Sequence, residues 1–163
     1  MTQEMIDTGT DHLLANLNEG VLTLTFNRPE ARNALSGDLL QALGTQLSDA
    51  EINPEVRCVV LTGRGNAFCA GGDVKAMSDV NAKGAASPLE TLIHRQRLNQ
   101  RSTSGRLNKI PKPTLAVIPG PAAGAGLSIA LACDLRIMSS TAFMTTAFAK
   151  VGFSGDYGGT LFM

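Results

Sequence analysis

The chain has 163 residues, enough for one domain of ordinary size. Its hydrophobic share is 44% and its charged share 17%, which excludes a chain too polar to collapse. Lys plus Arg (14) equals Asp plus Glu (14), so no basic surplus exists to hold nucleic acid or an anionic membrane.

In chain order, residues 1–10 are polar and are expected to be a flexible N-terminus. Residues 11–163 are expected to form one core domain. Leu13 to Leu17, a turn at Asn18-Glu19-Gly20, and alternating Val21, Leu22, Leu24 and Phe26 predict a hairpin. Ser36 has the character of an N-cap, with Asp38 in the first turn. Leu39, Leu40, Leu43 and Leu47 then predict a helix to about Ala50. Arg57 to Thr62 is an apolar run of the kind found in buried strands. Residues 66–77 read as a glycine-centred loop entering a helix, and 78–88 as a mobile loop. A long polar-faced helix is predicted from Pro88 to about Asn108. Thr114–Ile118 is a second buried strand, PGPAAGAG (119–126) leads into an apolar helix over 126–132, and Asp134 to Met138 is a third strand. Ala142 to Thr146 reads as a short strand or a turn, and 147–159 ends in the glycine-rich turn GFSGDYGG. Strands alternating with helices predict an α/β fold with helices covering the sheet. The chain stops at Met163 in what reads as the start of another helix, so an incomplete fold is expected.

Cys58, Cys69 and Cys133 give neither a CxxC pair nor a Cys/His zinc spacing. They read as small buried apolar residues of a reduced compartment, and no metal is expected. The N-terminus lacks a cationic start followed by an apolar stretch, and no run reaches the ~18 apolar residues of a membrane span. A cytoplasmic location is therefore expected.

The two glycine loops carry two readings. Small residues let a ligand approach the backbone, and the free N–H groups at the start of a helix point at whatever lies in front of it. PGPAAGAG before its helix and FCAGGD after its strand could each supply one donor to an oxyanion. The same residues suit close packing of helix against strand, the commoner use of small-residue stretches. Neither stretch is a Walker loop, and neither has regular dinucleotide-binding spacing.

NRPEARNAL, VVLTGRGNAFCAGGDVKAM, KPTLAVIPGPAAGAGLSIALACDLRI and AFAKVGFSGDYGGT, in this order and separation, resemble the enoyl-CoA hydratase/isomerase (crotonase) superfamily. The resemblance covers the chain from about residue 13 onwards. It implies a spiral of ββα units, truncated here, because family chains continue into a C-terminal helical part. It implies an acyl-CoA thioester substrate, with coenzyme A only as part of that substrate, and a homotrimer or hexamer. It places the oxyanion donors at Gly72 and Ala125. The CoA-facing positions fall at Ala70, Asp73, Val74 and Lys75, and Arg32 is a phosphate contact ahead of Arg28.

Departures from the pattern direct the chemistry. The two glutamates of the hydratases are replaced by Ser128 and Phe148, so hydration lacks both of its acid/base groups. Asp156 stands where an aspartate occurs in the branch resembling epoxyphenylacetyl-CoA isomerase and Δ3,Δ2-enoyl-CoA isomerases. A single carboxylate suits a double-bond shift, with Phe148, Phe153 and Leu127 as its apolar surroundings. An aspartate-dependent thioester dehalogenase of the superfamily also uses a histidine and a tryptophan. Here those positions hold Arg101 and Phe148, and the chain has no tryptophan. His94 reads as a solvated helix-face residue. The expectation is an enoyl-CoA isomerase, with a hydratase or a non-catalytic acyl-CoA-binding member as the alternatives.

Overall fold

The structure, a computed structural model, describes residues 4–73, 88–152 and 154–163. The helix expected to run on beyond residue 73, the mobile loop over 78–87, and the residues Val74, Lys75 and Phe153 lie outside them.

The hairpin forms as its alternation dictates. Strands β1 (Glu4–Ile6), β2 (Leu13–Asn18) and β3 (Val21–Phe26) are antiparallel, with Leu13 opposite Phe26 and Glu4 opposite Leu17. The expectation of a loose segment over residues 1–10 therefore fails at 4–6, where pairing with β2 holds the chain as an edge strand. Glu19 (φ 49°) and Gly20 (φ 81°) make the two-residue turn between β2 and β3, where both positions need positive φ. Leu22, Leu24 and Phe26 point into the core.

Helix α1 (Gly37–Ile52) starts where Ser36 Oγ accepts from the Leu39 N–H at 3.2 Å. It buries Leu39, Leu43 and Leu47 in the same core as Leu24, Phe26 and Leu61. After α1 the chain returns parallel to β3 as β4 (Cys58–Gly63), with Val21 beside Cys58 and Phe26 beside Gly63. Phe26 and Phe68 meet edge to face, with centroids 5.4 Å apart.

The single helix expected over 88–108 is broken. Helix α2 (Leu89–Ser102) ends at Thr103, and α3 (Ser104–Leu107) follows. The Ser102, Thr103 and Ser104 hydroxyls donate back to the carbonyls of Asn99, Asn99 and Gln100, in competition with the regular ladder. None of the α2 residues is buried, and Leu89, Leu92, Ile93 and Leu98 are exposed.

Strand β5 (Thr114–Ile118) runs parallel to β4, β6 (Ala122–Ala123) follows it, and α4 (Ala125–Ala132) is almost wholly buried. Asp134 accepts from both the N–H and the hydroxyl of Thr114 at 2.8 Å, tying the end of α4 to the start of β5. Strand β7 (Leu135–Met138) is parallel to β5 and completes a six-stranded sheet in the order β1-β2-β3-β4-β5-β7. Unlike β4 and β5, it is not covered: Leu135 is 66% and Ile137 60% exposed. Strand β8 (Met144–Thr145) pairs with β6 in a second, two-stranded sheet. A 3-10 turn over Ala147–Val151 and a short helix α5 (Gly159–Phe162) complete the described chain. No helix among the described residues is long and apolar enough to cross a membrane.

Candidate active site

The loop after β4 and the loop before α4 lock into one another. Main-chain bonds run from Phe68 N to Pro121 O (3.1 Å) and from Ala123 N to Cys69 O (2.9 Å). A Cβ at Gly126 would lie 2.4 Å from Cys69 O, so only glycine permits this approach. Close packing, one of the two roles open to these residues, is therefore realised. The packing also leaves some amides without an acceptor among the described residues, those of Gly72 and Ala125 among them. Ala125 is the first residue of α4, where an N–H has no partner within the helix. Gly71 (φ +94°) backs onto it: a Cβ there would sit 3.3 Å from Ala125 N and 2.9 Å from Ala123 O. The loop carrying Gly72 and the helix start carrying Ala125 are thus in direct contact.

Asp156 reaches this assembly through α4. Ser128, wholly buried, donates from Oγ to the Asp156 carbonyl oxygen at 2.8 Å, one turn beyond Ala125. The same hydroxyl explains Gly159, whose Cβ would meet Ser128 Oγ at 2.5 Å. The Asp156 carboxyl is half-buried, and its Oδ2 accepts from Gln96 Nε2 of α2 at 3.3 Å. Burial raises its pKa above the usual carboxylate value, against a smaller opposing pull from its own backbone N–H. Phe148 packs near Gly155, where a Cβ would lie 3.2 Å from its ring. Leu127 is buried.

The remaining sequence candidates are arranged on the segment before α1. Arg28 Nη1 pairs with Asp73 Oδ2 at 2.9 Å and donates to Ala34 O at 2.6 Å, so both Arg28 and Asp73 are engaged within the protein. Arg32 is exposed, and its guanidinium has no partner among the described residues. Its carbonyl accepts from Ala70 N at 3.0 Å, so Arg32 and Ala70 lie side by side at the mouth of the glycine loop. His94 and Arg101 are exposed on α2.

Three residues escaped the sequence reading. Asn33 is wholly buried at φ 58°. Its Nδ2 donates to Arg64 O and Ala67 O, and its Oδ1 accepts from Arg28 N, so it staples the arginine segment to the glycine loop. Its one sequence signal is that asparagine tolerates the left-handed region better than most residues. Tyr157, buried at φ 50° beside Asp156, has its phenol pushed up by burial and then by the charges of Asp156 and Cys69. Gln96 has no signal, since nothing in a polar helix marks which of its side chains meets the acid.

The family profile described as enoyl-CoA hydratase/isomerase matches residues 16–163. The chain is 37% identical over 150 residues to a 1,2-epoxyphenylacetyl-CoA isomerase of Escherichia coli, covering 92% of this chain and 56% of that protein. It is 34% identical over 152 residues to 4-chlorobenzoyl coenzyme A dehalogenase-1 of an Arthrobacter species, covering 93% and 54%. The crystal structure of an enoyl-CoA hydratase from Polaromonas superposes with a TM-score of 0.81 at 34% identity, over 92% of this chain and 56% of that one. The chain therefore spans about half the length of the curated relatives it matches. With its mixed sheet and its interlocked glycine loops, the chain belongs to the enoyl-CoA hydratase/isomerase family, on the crotonase fold.

Proposed function

We propose that the protein acts on an acyl-CoA thioester and shifts the double bond of an enoyl-CoA, with Asp156 as the single acid/base. The Asp156 carboxylate takes the C2 proton of a 3-enoyl thioester. The electron pair moves into a dienolate whose charge rests on the thioester oxygen. The same carboxyl then returns the proton at C4, and the double bond ends between C2 and C3. Gly72 and Ala125 amides donate to the thioester oxygen, a contribution of about 10²–10³ in rate per donor. Ala70, Asp73 and Arg32 serve the coenzyme A side, a role the resemblance also gives to Val74 and Lys75, which lie outside the described residues. Coenzyme A enters only as part of the substrate, and the working assembly is a homotrimer or hexamer in the cytoplasm.

The observation that carries this reading is the half-buried carboxyl of Asp156, its pKa raised by burial, fastened through Ser128 to the helix whose first amide has no acceptor among the described residues. A carboxyl with raised pKa is a stronger base once ionised, as proton abstraction from carbon requires. The other carboxylate beside the glycine loop, Asp73, is committed to Arg28. Hydration is the second reading, favoured by the likeness to solved enoyl-CoA hydratases of Polaromonas and Mycobacterium avium. It needs a water-activating group in addition to Asp156.

Asp156→Asn separates the possibilities. In deuterated water with a 3-enoyl-CoA, it should lose solvent exchange at C2 and C4 by about 10²–10⁴ while still binding the thioester. Unchanged exchange would remove Asp156 from the mechanism. Label from ¹⁸O water appearing in a 3-hydroxyacyl product would favour hydration.

A further inference from the structure

Helix α2 presents no buried residue, yet at Gln96 it turns one side chain to the Asp156 carboxyl. We propose that Gln96 is a positioning residue for Asp156, holding Oδ2 so that Oδ1 alone takes and returns the proton. This rests on the reading of Asp156 as the base.

The chemistry of the amide fits that duty. A neutral N–H donates to Oδ2 whether it belongs to a carboxylate or is the carbonyl oxygen of the protonated acid. A proton can then arrive at and leave Oδ1 without breaking the contact. A lysine or arginine at the same place would favour the ionised form and weaken the base. A hydrocarbon would free the carboxyl to rotate and deprive its charge of a donor. No cation faces this carboxyl from the described residues. α2 offers Gln96, α4 offers the Ser128 hydroxyl to the main chain, and the adjoining Tyr157 phenol feels the charge of Asp156.

The test is a pair of substitutions with opposite consequences. The Asp156 carboxyl is titrated by carbon NMR in the whole chain labelled at aspartate, with Asp156→Asn assigning the resonance. Gln96→Leu should move the titration upward, and Gln96→Lys should move it downward. In both, kcat for the double-bond shift should fall about 10-fold with KM little changed, because one misplaced reacting group suffices for such a loss. The acid limb of the pH–rate profile should follow each titration. Gln96 is only part-buried on a helix with no fully buried residue, and melting temperatures matching the parent establish intact folding. Titrations that coincide with the parent in both variants would overturn the proposal. Persistence of proton exchange in Asp156→Asn would instead overturn the assignment of the base, leaving the measured Gln96–Asp156 coupling as it stands.

Discussion

Asp156, the proposed base, would link activity to stability with opposite signs. Its pKa in the folded protein is raised by burial above the 3.8 of an exposed aspartate. The folded state therefore holds the proton more tightly than the unfolded chain does. Between the unfolded value and the raised folded one the native state keeps a proton that the unfolded chain has lost, so this group's contribution to stability declines as pH rises through that interval and stays at its lowest above it. Asp156→Asn, neutral at every pH, should be more stable than the parent at pH 7 and closer to it in acid. Urea unfolding at the two pH values checks this, and equal differences at both would contradict it. Asn33 and Gln96 show why single residues were the least legible part of the site. Asn33 Nδ2 meets a carbonyl 34 positions away, and Gln96 meets an acid 60 positions away. No periodicity, cap or turn signal carries such separations.

Elements were easier to read where local physics decides them. Ser36 caps α1 as its residue type suggests, and the apolar runs of β4 and β5 mark strands flanked by parallel neighbours. Reading failed where a tertiary partner decides. Glu4–Ile6 becomes a strand because β2 offers an edge, and α2 stops because three successive hydroxyls bond backwards. The glycine loops lie between these cases: their residue types announce close approach, and the observed clash distances at Gly71 and Gly126 define it. Gly71→Ala forces a side chain into a left-handed conformation and against Ala123 O. It should separate the two loops and reduce turnover by about 10²-fold, comparable with the loss of one oxyanion donor. A small change in thioester affinity beside that fall would place the damage in the transition state, and normal turnover would exclude any dependence on loop contact.

At the scale of the whole molecule, the resemblance carried by four sequence motifs leads to the family and fold found. What apolar composition does not reveal is which apolar strand is covered. Leu135, Ile137 and Met138 look as hydrophobic as the β5 residues, yet they lie exposed on the sheet's outer strand. An uncovered, apolar outer strand invites another chain to pair with it. The isolated chain should associate with rising concentration. Ile137→Lys should shift sedimentation toward the single-chain mass, and an unaltered distribution would show that β7 takes no part in association.

The bond from Ser128 to the Asp156 carbonyl ties both ends of the proposed reaction to α4: one amide at its first residue and, one turn further along, the main chain that carries the acid. Thermal jostling that slides this rod within its apolar bed carries both groups as a unit. Their main-chain spacing is then insulated from the breathing of the outer helices, and only the orientation of the carboxyl depends on Gln96 of α2. Heating should silence such an enzyme abruptly, when the bed itself melts, instead of by gradual drift.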